Sequence, residues 1–286
     1  MTAQVVVGVD GSEESATAAR WAAREAVRRE VPLRLVLVDD WPPAPEVPLP
    51  YARDHAERAE ALLREAAEAA RKEHTDLEVL AETAHGRAAE VLTAAANDAD
   101  LTVLGSRGLG GVLGFVVGSV SLAVVGTARQ PVALVRAESD RPSPARAGIV
   151  VGVDLYHPSE ALLGFAFTEG ARTGLPVRFV HSWTLPASYG YAALVSPGVG
   201  EELGERLVQG LDDLLEPWRK RYAGVDAGAK AAVGSPAYQL VAASQDAALV
   251  IVGRRTRKVP VGPHLGHVAH AVIHHSPVPV VVVPSA

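Results

Sequence analysis

Residues 101–119 read LTVLGSRGLGGVLGFVVGS, a short apolar run, a glycine-rich loop and the start of a second apolar segment. The run before Gly105 predicts a strand, and Gly118-Ser119 predicts the first turn of a helix. Glycines let backbone amides approach a ligand closely, and a helix N-terminus attracts phosphate. The order of strand, glycine loop and helix therefore predicts an anion site, with the Ser119 hydroxyl at the capping position.

The glycines do not have the spacing of the two common phosphate loops. No lysine follows the last glycine, as a P-loop requires, and no Gly-x-Gly-x-x-Gly opens directly from the strand. The observed spacing, Gly105-x2-Gly108-x9-Gly118-Ser119, resembles the ATP-binding signature of the universal stress protein family. All four specified positions match that signature.

The stretch 108–128 also allows a membrane interpretation, because it is uncharged and its glycines recur every fourth residue, as in helix dimerisation faces. Six glycines and three hydroxyl residues reduce its hydrophobicity, however. The corresponding stretch later in the chain carries arginines, a lysine and prolines. We therefore expect no membrane span.

Composition limits the classes of protein to consider. A chain of 286 residues with 48% hydrophobic content suits two domains. A net charge of −6 does not favour binding to nucleic acid or to acidic membranes. There is no cysteine, which excludes disulfides and thiol catalysis. The first residues, MTAQVVVGVDGS, do not resemble a secretory signal, so we expect a cytoplasmic protein.

The chain contains an internal repeat. VVVGVD at residues 5–10 returns as IVVGVD at 149–154, and DADLTVLG at 98–105 returns as DAALVIVG at 246–253. A charged, proline-containing stretch separates the two halves. We predict a first domain over residues 1–137 that binds ATP, a linker over 138–147, and a second domain with a degenerate nucleotide motif over 148–286.

Each half alternates apolar runs with amphipathic or alanine-rich segments, which predicts an α/β fold with a parallel sheet and helices on both faces. In the first half we predict strands at 5–10, 33–38, 77–81, 101–104 and 132–135, and helices at 13–30, 51–73, 87–97 and 119–128. The resemblance implies two tandem flavodoxin-like or Rossmann-like domains, each a five-stranded sheet in the order 3-2-1-4-5.

In that order, strands 1 and 4 are neighbours, which brings Asp10 close to Gly105 at the carboxyl edge, where ligands bind in such sheets. Taken alone, Asp10-Gly11-Ser12 is simply a good turn from strand to helix. The resemblance implies more. Asp10 would contact the ribose and adenine side of an adenine nucleotide, and the backbone at Val38 would contact adenine. The other implied nucleotide-binding residues are Gly11, Gly105, Arg107, Gly108, Gly118 and Ser119, of which Gly108, Gly118 and Ser119 would hold the phosphates.

The second half keeps the repeated apolar segments but changes the residues of the glycine signature. Counted from Gly253, the second glycine of the signature is replaced by Thr256, the third is Gly266, and the hydroxyl residue is replaced by His267. Asp154 is retained, but Leu-Tyr-His-Pro follows it instead of Gly-Ser. Added side chains narrow a backbone cradle, so ATP binding in the family's manner is doubtful there. Asp154, Gly253 and Gly266 remain second-domain candidates.

Two histidine features allow chemical hypotheses. His85 follows the third strand and could serve as an acid or base, although no partner is evident. If residues 267–275 are helical, His267, His270 and His274 share a face, as metal ligands could, but no carboxylate completes the set. A polar helix face explains them equally well, and we predict no protein-bound metal site.

The resemblance implies an ATP-binding stress-response regulator or sensor, with Mg²⁺ arriving on the nucleotide. No P-loop lysine and no paired nucleophile and base are visible, so at most slow ATP hydrolysis is expected. The alternatives are a nucleotide-free interaction module and an adenylate-handling enzyme. The apolar closing strands predict pairing of the two domains within the chain, and a homodimer is a further expectation.

Overall fold

The computed structural model of the chain describes residues 3–40, 49–106, 117–137, 147–184, 199–255 and 265–285, with only the backbone at 49–52 and 199. These residues form two compact units. The first comprises the described residues from 3 to 137 together with Leu265, and the second comprises those from 147 to 255 and from 266 to 285.

In its described residues, the first unit alternates five strands with four helices, in agreement with the predicted α/β class. Its strands are β1 (Val5–Val9), β2 (Leu33–Asp39), β3 (Val79–His85), β4 (Leu101–Gly105) and β5 (Val132–Val135). Its helices are α1 (Glu13–Arg29), α2 (Leu49–Glu73), α3 (Ala88–Asn97) and α4 (Ser119–Thr127).

The five strands are parallel and lie in the order β3-β2-β1-β4-β5, as predicted. β1 and β4 are buried along nearly their whole length, because the helices cover both sheet faces. The carboxyl ends of β1 and β4 consequently meet at one edge of the sheet. This edge is the place where such a sheet can hold a ligand.

The third strand lies later than predicted. The sequence indicates a strand over residues 77–81, whereas β3 runs from Val79 to His85. Of the strands described in this unit, β3 pairs with β2 alone, and most of its side chains are exposed or half-exposed. An exposed strand lacks the apolar run by which buried strands are recognised, and its end is set by the pairing of Asp39 with His85.

The second unit repeats this architecture. Its strands are β6 (Ile149–Gly152), β7 (Val177–Trp183), β8 (Ala227–Val233), β9 (Leu249–Arg255) and β10 (Val280–Ser285). Its helices are α5 (Glu160–Thr173), α6 (Val199–Arg221), α7 (Pro236–Ala243) and α8 (His267–His275). The strands are parallel, in the order β8-β7-β6-β9-β10, so the internal repeat holds in three dimensions.

The core of the second unit contains an aromatic cluster. The ring of Phe167 stacks on Phe179 at 5.1 Å between centroids and on Trp218 at 5.9 Å. Tyr222 adds a fourth ring and places its hydroxyl 3.1 Å from the Thr168 hydroxyl. These rings join α5 and α6 to the sheet.

A buried glutamate that pairs with a partly exposed arginine recurs at the same place in both units. Glu25 on α1 is 2% exposed and accepts a hydrogen bond from Arg28 at 2.6 Å. Glu169 on α5 is also 2% exposed and accepts from Arg172 at 2.9 Å. Each carboxylate is paired with an arginine one helical turn later, which offsets the cost of removing its charge from water.

Among the described residues, no helix combines the length and the apolar character needed to cross a membrane. α4, the described helix within the stretch 108–128, has nine residues. It is therefore far shorter than the roughly 20 residues that a membrane span needs.

Candidate functional site

The carboxylate of Asp10 stands directly after β1, at the carboxyl edge of the first sheet. Its Oδ1 atom accepts hydrogen bonds from the Ser12 amide at 3.0 Å and from the Ser12 hydroxyl at 2.6 Å. The Ser12 hydroxyl also accepts from the Ser15 amide at 3.1 Å and so caps α1. Within the described residues Oδ2 takes part in no hydrogen bond, so Asp10 is anchored through one oxygen and presents the other.

Gly11 makes this turn possible. Its φ is +82°, a left-handed conformation that side chains rarely adopt. A Cβ there would lie 3.1 Å from Cδ1 of Leu62 on α2. The turn after Asp10 therefore needs glycine both for its backbone conformation and for space.

The strand and the helix that flank the glycine loop are tied together. The Gly118 amide donates to the Ser106 carbonyl at 2.8 Å. The Ser121 hydroxyl donates to the Gly105 carbonyl, also at 2.8 Å. These two bonds hold the first turn of α4 against the end of β4, next to the end of β1.

The first turn of α4 contains backbone amides that donate to no group in the described part of the chain. Gly118 is the capping residue, and its carbonyl accepts from the Leu122 amide at 2.9 Å. The amides of Ser119, Val120 and Ser121 have no acceptor within the described residues. Such amides at the positive end of a helix favour an anion.

The predicted capping role of Ser119 is wrong, because Gly118 occupies that position and Ser119 is the first helical residue. The Ser119 side chain is exposed. Its hydroxyl therefore stays available to a ligand rather than closing the helix.

β2 extends beyond β1 at the same edge. The pairing of β1 with β2 ends at Val9 and Leu37, whereas β2 continues through Val38 to Asp39 in register with β3. In the ladder, Val38 consequently pairs with β3 alone. Among the residues that the structure describes, one side of the β2 backbone beyond Leu37 therefore has no strand partner, as the predicted adenine contact requires.

A carboxylate and two histidines that the sequence reasoning did not connect lie beside this edge. Asp39 Oδ1 is 3.0 Å from His55 Nε2 on α2, and Asp39 Oδ2 is 3.7 Å from His85 Nδ1 at the end of β3. His85, a candidate acid or base with no evident partner, thus faces a carboxylate. The sequence could have indicated this contact, because Asp39 and His85 each end a strand and neighbouring parallel strands end at the same edge.

Asp154 of the second unit is held differently from Asp10. Its Oδ1 atom accepts from the Tyr156 amide at 3.1 Å. Its Oδ2 atom accepts from Arg255 Nη2 at 2.5 Å and lies 3.2 Å from His157 Nδ1. Arg255 ends β9, which pairs directly with β6, so its side chain reaches to the neighbouring strand end. Both oxygens of Asp154 are engaged within the protein.

These partners lower the pKa of Asp154. Burial alone would raise the pKa, but the Tyr156 amide, the hydrogen bond and charge of His157 and the charge of Arg255 outweigh it. Asp154 is thus stabilised as a carboxylate by its own chain.

The comparisons with known proteins agree with this architecture. The profile described as the Universal stress protein family matches residues 1–136 and 147–284. The chain belongs to the universal stress protein family. A universal stress protein of Mycobacterium tuberculosis is 34% identical over 290 residues, covering 97% of this chain and 96% of the relative. Another, from Mycolicibacterium smegmatis, is 31% identical over 293 residues, covering 98% and 96%.

A solved structure supports the fold of this universal stress protein. The crystal structure of a universal stress protein from Archaeoglobus fulgidus matches with a TM-score of 0.73, covering 99% of this chain and 98% of that one. The identity is 18%, so the likeness concerns the fold. The tandem arrangement of two family domains predicted from the repeat is confirmed.

The candidate residues of this universal stress protein fall into two groups. In the first unit, Asp10, Gly11, Gly105, Gly118 and Ser119 gather at the edge formed by β1 and β4. Arg107 and Gly108 lie outside the described residues, as does Thr256 of the second half.

In the second unit, Gly253 lies inside β9, and Gly266 caps α8 with φ −61° and ψ 152°. Gly118 caps α4 with nearly the same angles, φ −65° and ψ 150°. The helix start is therefore preserved in the repeat, whereas Arg255 now engages the neighbouring aspartate.

The histidines of α8 form a close group. The rings of His270 and His274 lie 4.4 Å apart. Burial lowers the pKa of His270, and the charges of His274 and His275 lower it further. No group of three or more metal-ligating side chains with suitable geometry occurs in the described part of the chain.

Proposed function

We propose that the first unit binds an adenine nucleotide, ATP, and that binding serves stress-dependent regulation or sensing. The proposal combines membership of the universal stress protein family with the geometry of the first unit's edge. It assigns the nucleotide to the crevice between the ends of β1 and β4.

One observation carries this proposal. Asp10 Oδ2 and the first-turn amides of α4, which have no hydrogen-bond partner among the described residues, lie at the ends of two adjacent strands. A carboxylate accepts hydrogen bonds from ribose hydroxyls, and open helix amides favour phosphate oxygens. A nucleotide carries both groups, which supports a nucleotide rather than a simple anion.

The residues then have separate roles. Asp10 receives the ribose, the backbone at Val38 receives the adenine edge, and Gly118 with Ser119 receives the phosphates. Arg107 and Gly108 complete the proposed set from the loop between them. Mg²⁺ enters on the triphosphate and is held by phosphate oxygens and water, since the described residues contain no ready set of metal ligands.

Regulation fits this site better than rapid hydrolysis. Asp10 is assigned to the sugar, and the open amides of α4 can hold phosphate but cannot remove a proton from water. We therefore propose slow ATP hydrolysis at most, with the bound nucleotide acting as a signal.

Isothermal titration calorimetry with ATP, AMP and cyclic AMP tests the proposal on the wild type, Gly118→Val and Gly266→Val. Both glycines cap a helix at angles that valine also adopts, so each variant adds bulk without forcing φ. We expect wild type and Gly266→Val to bind ATP alike and Gly118→Val to lose binding.

Two results would overturn the proposal. No saturable heat in the wild type at millimolar ATP would leave the nucleotide-free interaction module as the better hypothesis. Equal binding by wild type and Gly118→Val would show that the crevice of the first unit is not the site.

A further inference from the structure

The end of β2 in the first unit extends beyond its neighbour β1. The pairing of these two strands ends at Leu37, whereas the pairing of β2 with β3 continues to Asp39, opposite His85. In the ladder, the last two residues of β2 are therefore held through β3. Val38 is one of them, and its backbone is the group assigned to adenine. The groups that fix this strand end consequently bear on the proposed site.

The hydrogen bonds of β2 show in which direction its peptide groups point. The Pro32 carbonyl accepts from the Val5 amide of β1 at 3.0 Å. The Asp39 carbonyl accepts from the Gly86 amide, just after β3, at 3.1 Å. Successive residues of a strand direct their N–H and C=O groups to opposite neighbours. The Val38 carbonyl therefore points to the side of β1, past the last paired residue of that strand.

Asp39, the residue after Val38, is fixed through its backbone and its side chain. Besides the bond from Gly86 to its carbonyl, its Oδ1 atom lies 3.0 Å from His55 Nε2, and its Oδ2 atom lies 3.7 Å from His85 Nδ1. The side chain of Asp39 is 13% exposed. A carboxylate can only accept, so His55 carries a proton on Nε2 and donates it to this hydrogen bond.

His55 connects this strand end to α2. His55 and Leu62 are seven residues apart on α2 and so lie on the same face of the helix. Cδ1 of Leu62 is 3.1 Å from the position of a Cβ at Gly11, the residue after Asp10. One face of α2 therefore contacts both the turn that holds the carboxylate assigned to ribose and the strand end assigned to adenine.

The second unit repeats only part of this arrangement. When β2 (LRLVLVD) is aligned with β7 (VRFVHSW), Trp183 stands in the place of Asp39. The Gly234 amide donates to the Trp183 carbonyl at 2.8 Å, so the backbone bond is common to both units and belongs to the fold. Tryptophan has no carboxylate, so the side-chain contact is not repeated. The contact between helix and strand end thus occurs in the unit that carries the complete glycine signature.

We propose that His55 and Asp39 are positioning residues that set the preference of the first unit for adenine over guanine, an inference that rests on the proposed nucleotide site. Their contact holds the end of β2 so that the Val38 carbonyl accepts a hydrogen bond from the amino group of adenine. Guanine carries a carbonyl oxygen at that place, and two acceptors cannot form a hydrogen bond. The phosphates are assigned to α4, on the far side of β1, so the contact governs the base and not the triphosphate.

Isothermal titration calorimetry with ATP, GTP and inorganic tripolyphosphate tests this inference on the full-length wild type and His55→Leu. Leucine is of similar size but cannot donate to Asp39. We expect the ATP affinity of His55→Leu to fall about tenfold, in the range expected for one hydrogen bond to a charged group. The preference for ATP over GTP should fall by the same factor. The affinities for GTP and tripolyphosphate should remain those of the wild type.

Two further variants separate positioning from stability. His55→Gln keeps an N–H donor that can reach Asp39, so it should restore most of the ATP affinity. Arg34→Leu is the matched control, because Arg34 also ties β2 to a neighbour, Glu82 of β3, at 2.6 Å but near the start of the strand. Arg34→Leu should keep the wild-type preference for ATP, whatever loss of stability thermal unfolding shows in either leucine variant.

The possible failures are distinguishable. Absence of ATP binding in the wild type would overturn the proposed function and this inference with it. ATP binding in the wild type with an unchanged preference over GTP in His55→Leu would overturn the inference alone. An equal loss of affinity for all three probes in His55→Leu, or a loss of the ATP preference in Arg34→Leu, would also overturn it, because the contact would then serve the fold in general.

Discussion

The carboxyl edges of the two units start from nearly the same sequence, VVVGVD and IVVGVD, and from the same strand order. Asp10 is held through Oδ1 and keeps Oδ2 open within the described residues. Asp154 has both oxygens engaged, one of them by Arg255. An aspartate retained at the end of a strand therefore does not retain the same capacity to bind a ligand. The residues at the end of the neighbouring strand decide whether its carboxylate oxygens are already engaged within the protein.

The largest effect is expected in the core of the second unit. Phe167→Ala removes a buried ring from the aromatic cluster, whereas the first unit has Ala23 at the corresponding position. We expect a loss of about 3–5 kcal/mol in the free energy of unfolding of the second unit. Urea denaturation measures it, with Tyr222→Phe, which keeps the ring, as the milder control. ATP affinity should not change, and a parallel loss of affinity would mean that the two units do not act separately.

Replacing each of the two aspartates with alanine tests the comparison directly. Asp10→Ala should weaken ATP binding by about 10–100-fold, because a carboxylate hydrogen bond contributes about 1.5–3 kcal/mol. Asp154→Ala should leave ATP affinity and stoichiometry unchanged, since Arg255 and His157 already engage that carboxylate. Calorimetry on both variants is the measurement. If Asp154→Ala lowered the number of bound nucleotides, the second edge would also be a nucleotide site.

The helix caps provide a matched pair of smaller changes. Ser12 and Ser159 cap α1 and α5 through their hydroxyls, with amide distances of 3.1 Å and 3.3 Å. Either serine changed to alanine should cost about 1 kcal/mol of stability. Ser12→Ala should in addition weaken ATP binding, because the Ser12 hydroxyl orients Asp10. Thermal unfolding together with calorimetry separates the two effects, and equal ATP affinity in both variants would contradict the orienting role.

The smallest expected effect is a change in the pKa of Asp154, at the carboxyl edge of the second unit. The lowered pKa of Asp154 means that its contribution to stability is present above its unfolded value, 3.8, and is lost as pH falls through the lower folded value. Arg255→Ser removes one lowering cause, so the pKa of Asp154 should rise. Carbon-detected carboxyl titration by nuclear magnetic resonance measures this, with His157→Gln as the companion variant. An unchanged pKa in Arg255→Ser would mean that the ion pair does not form in solution.

The features of the fold that could be predicted from the sequence are those that the repeated apolar strands determine. Strand and helix positions follow from buried runs and glycine spacing, which local patterns encode. The strand order, and with it the meeting of Asp10 with Gly105, was instead implied by the family resemblance. The predicted bounds of β3 were wrong because an exposed strand has few apolar residues in its sequence. The contacts of Asp154 with Arg255 and of Asp39 with His55 join residues far apart in sequence. Such contacts depend on which side chains the fold brings together, and the spacing of motifs does not report them.

The buried glutamates Glu25 and Glu169, which pair with Arg28 and Arg172, have a consequence for the evolution of the repeat. Each carboxylate is 2% exposed, so loss of its arginine partners would leave a charge inside the protein, at a cost of about 3–5 kcal/mol. Each glutamate therefore depends on its basic neighbours, and both copies of the duplicated unit keep the pair. Residues on the exposed rim carry no such mutual dependence, and there each copy is free to evolve a different specificity.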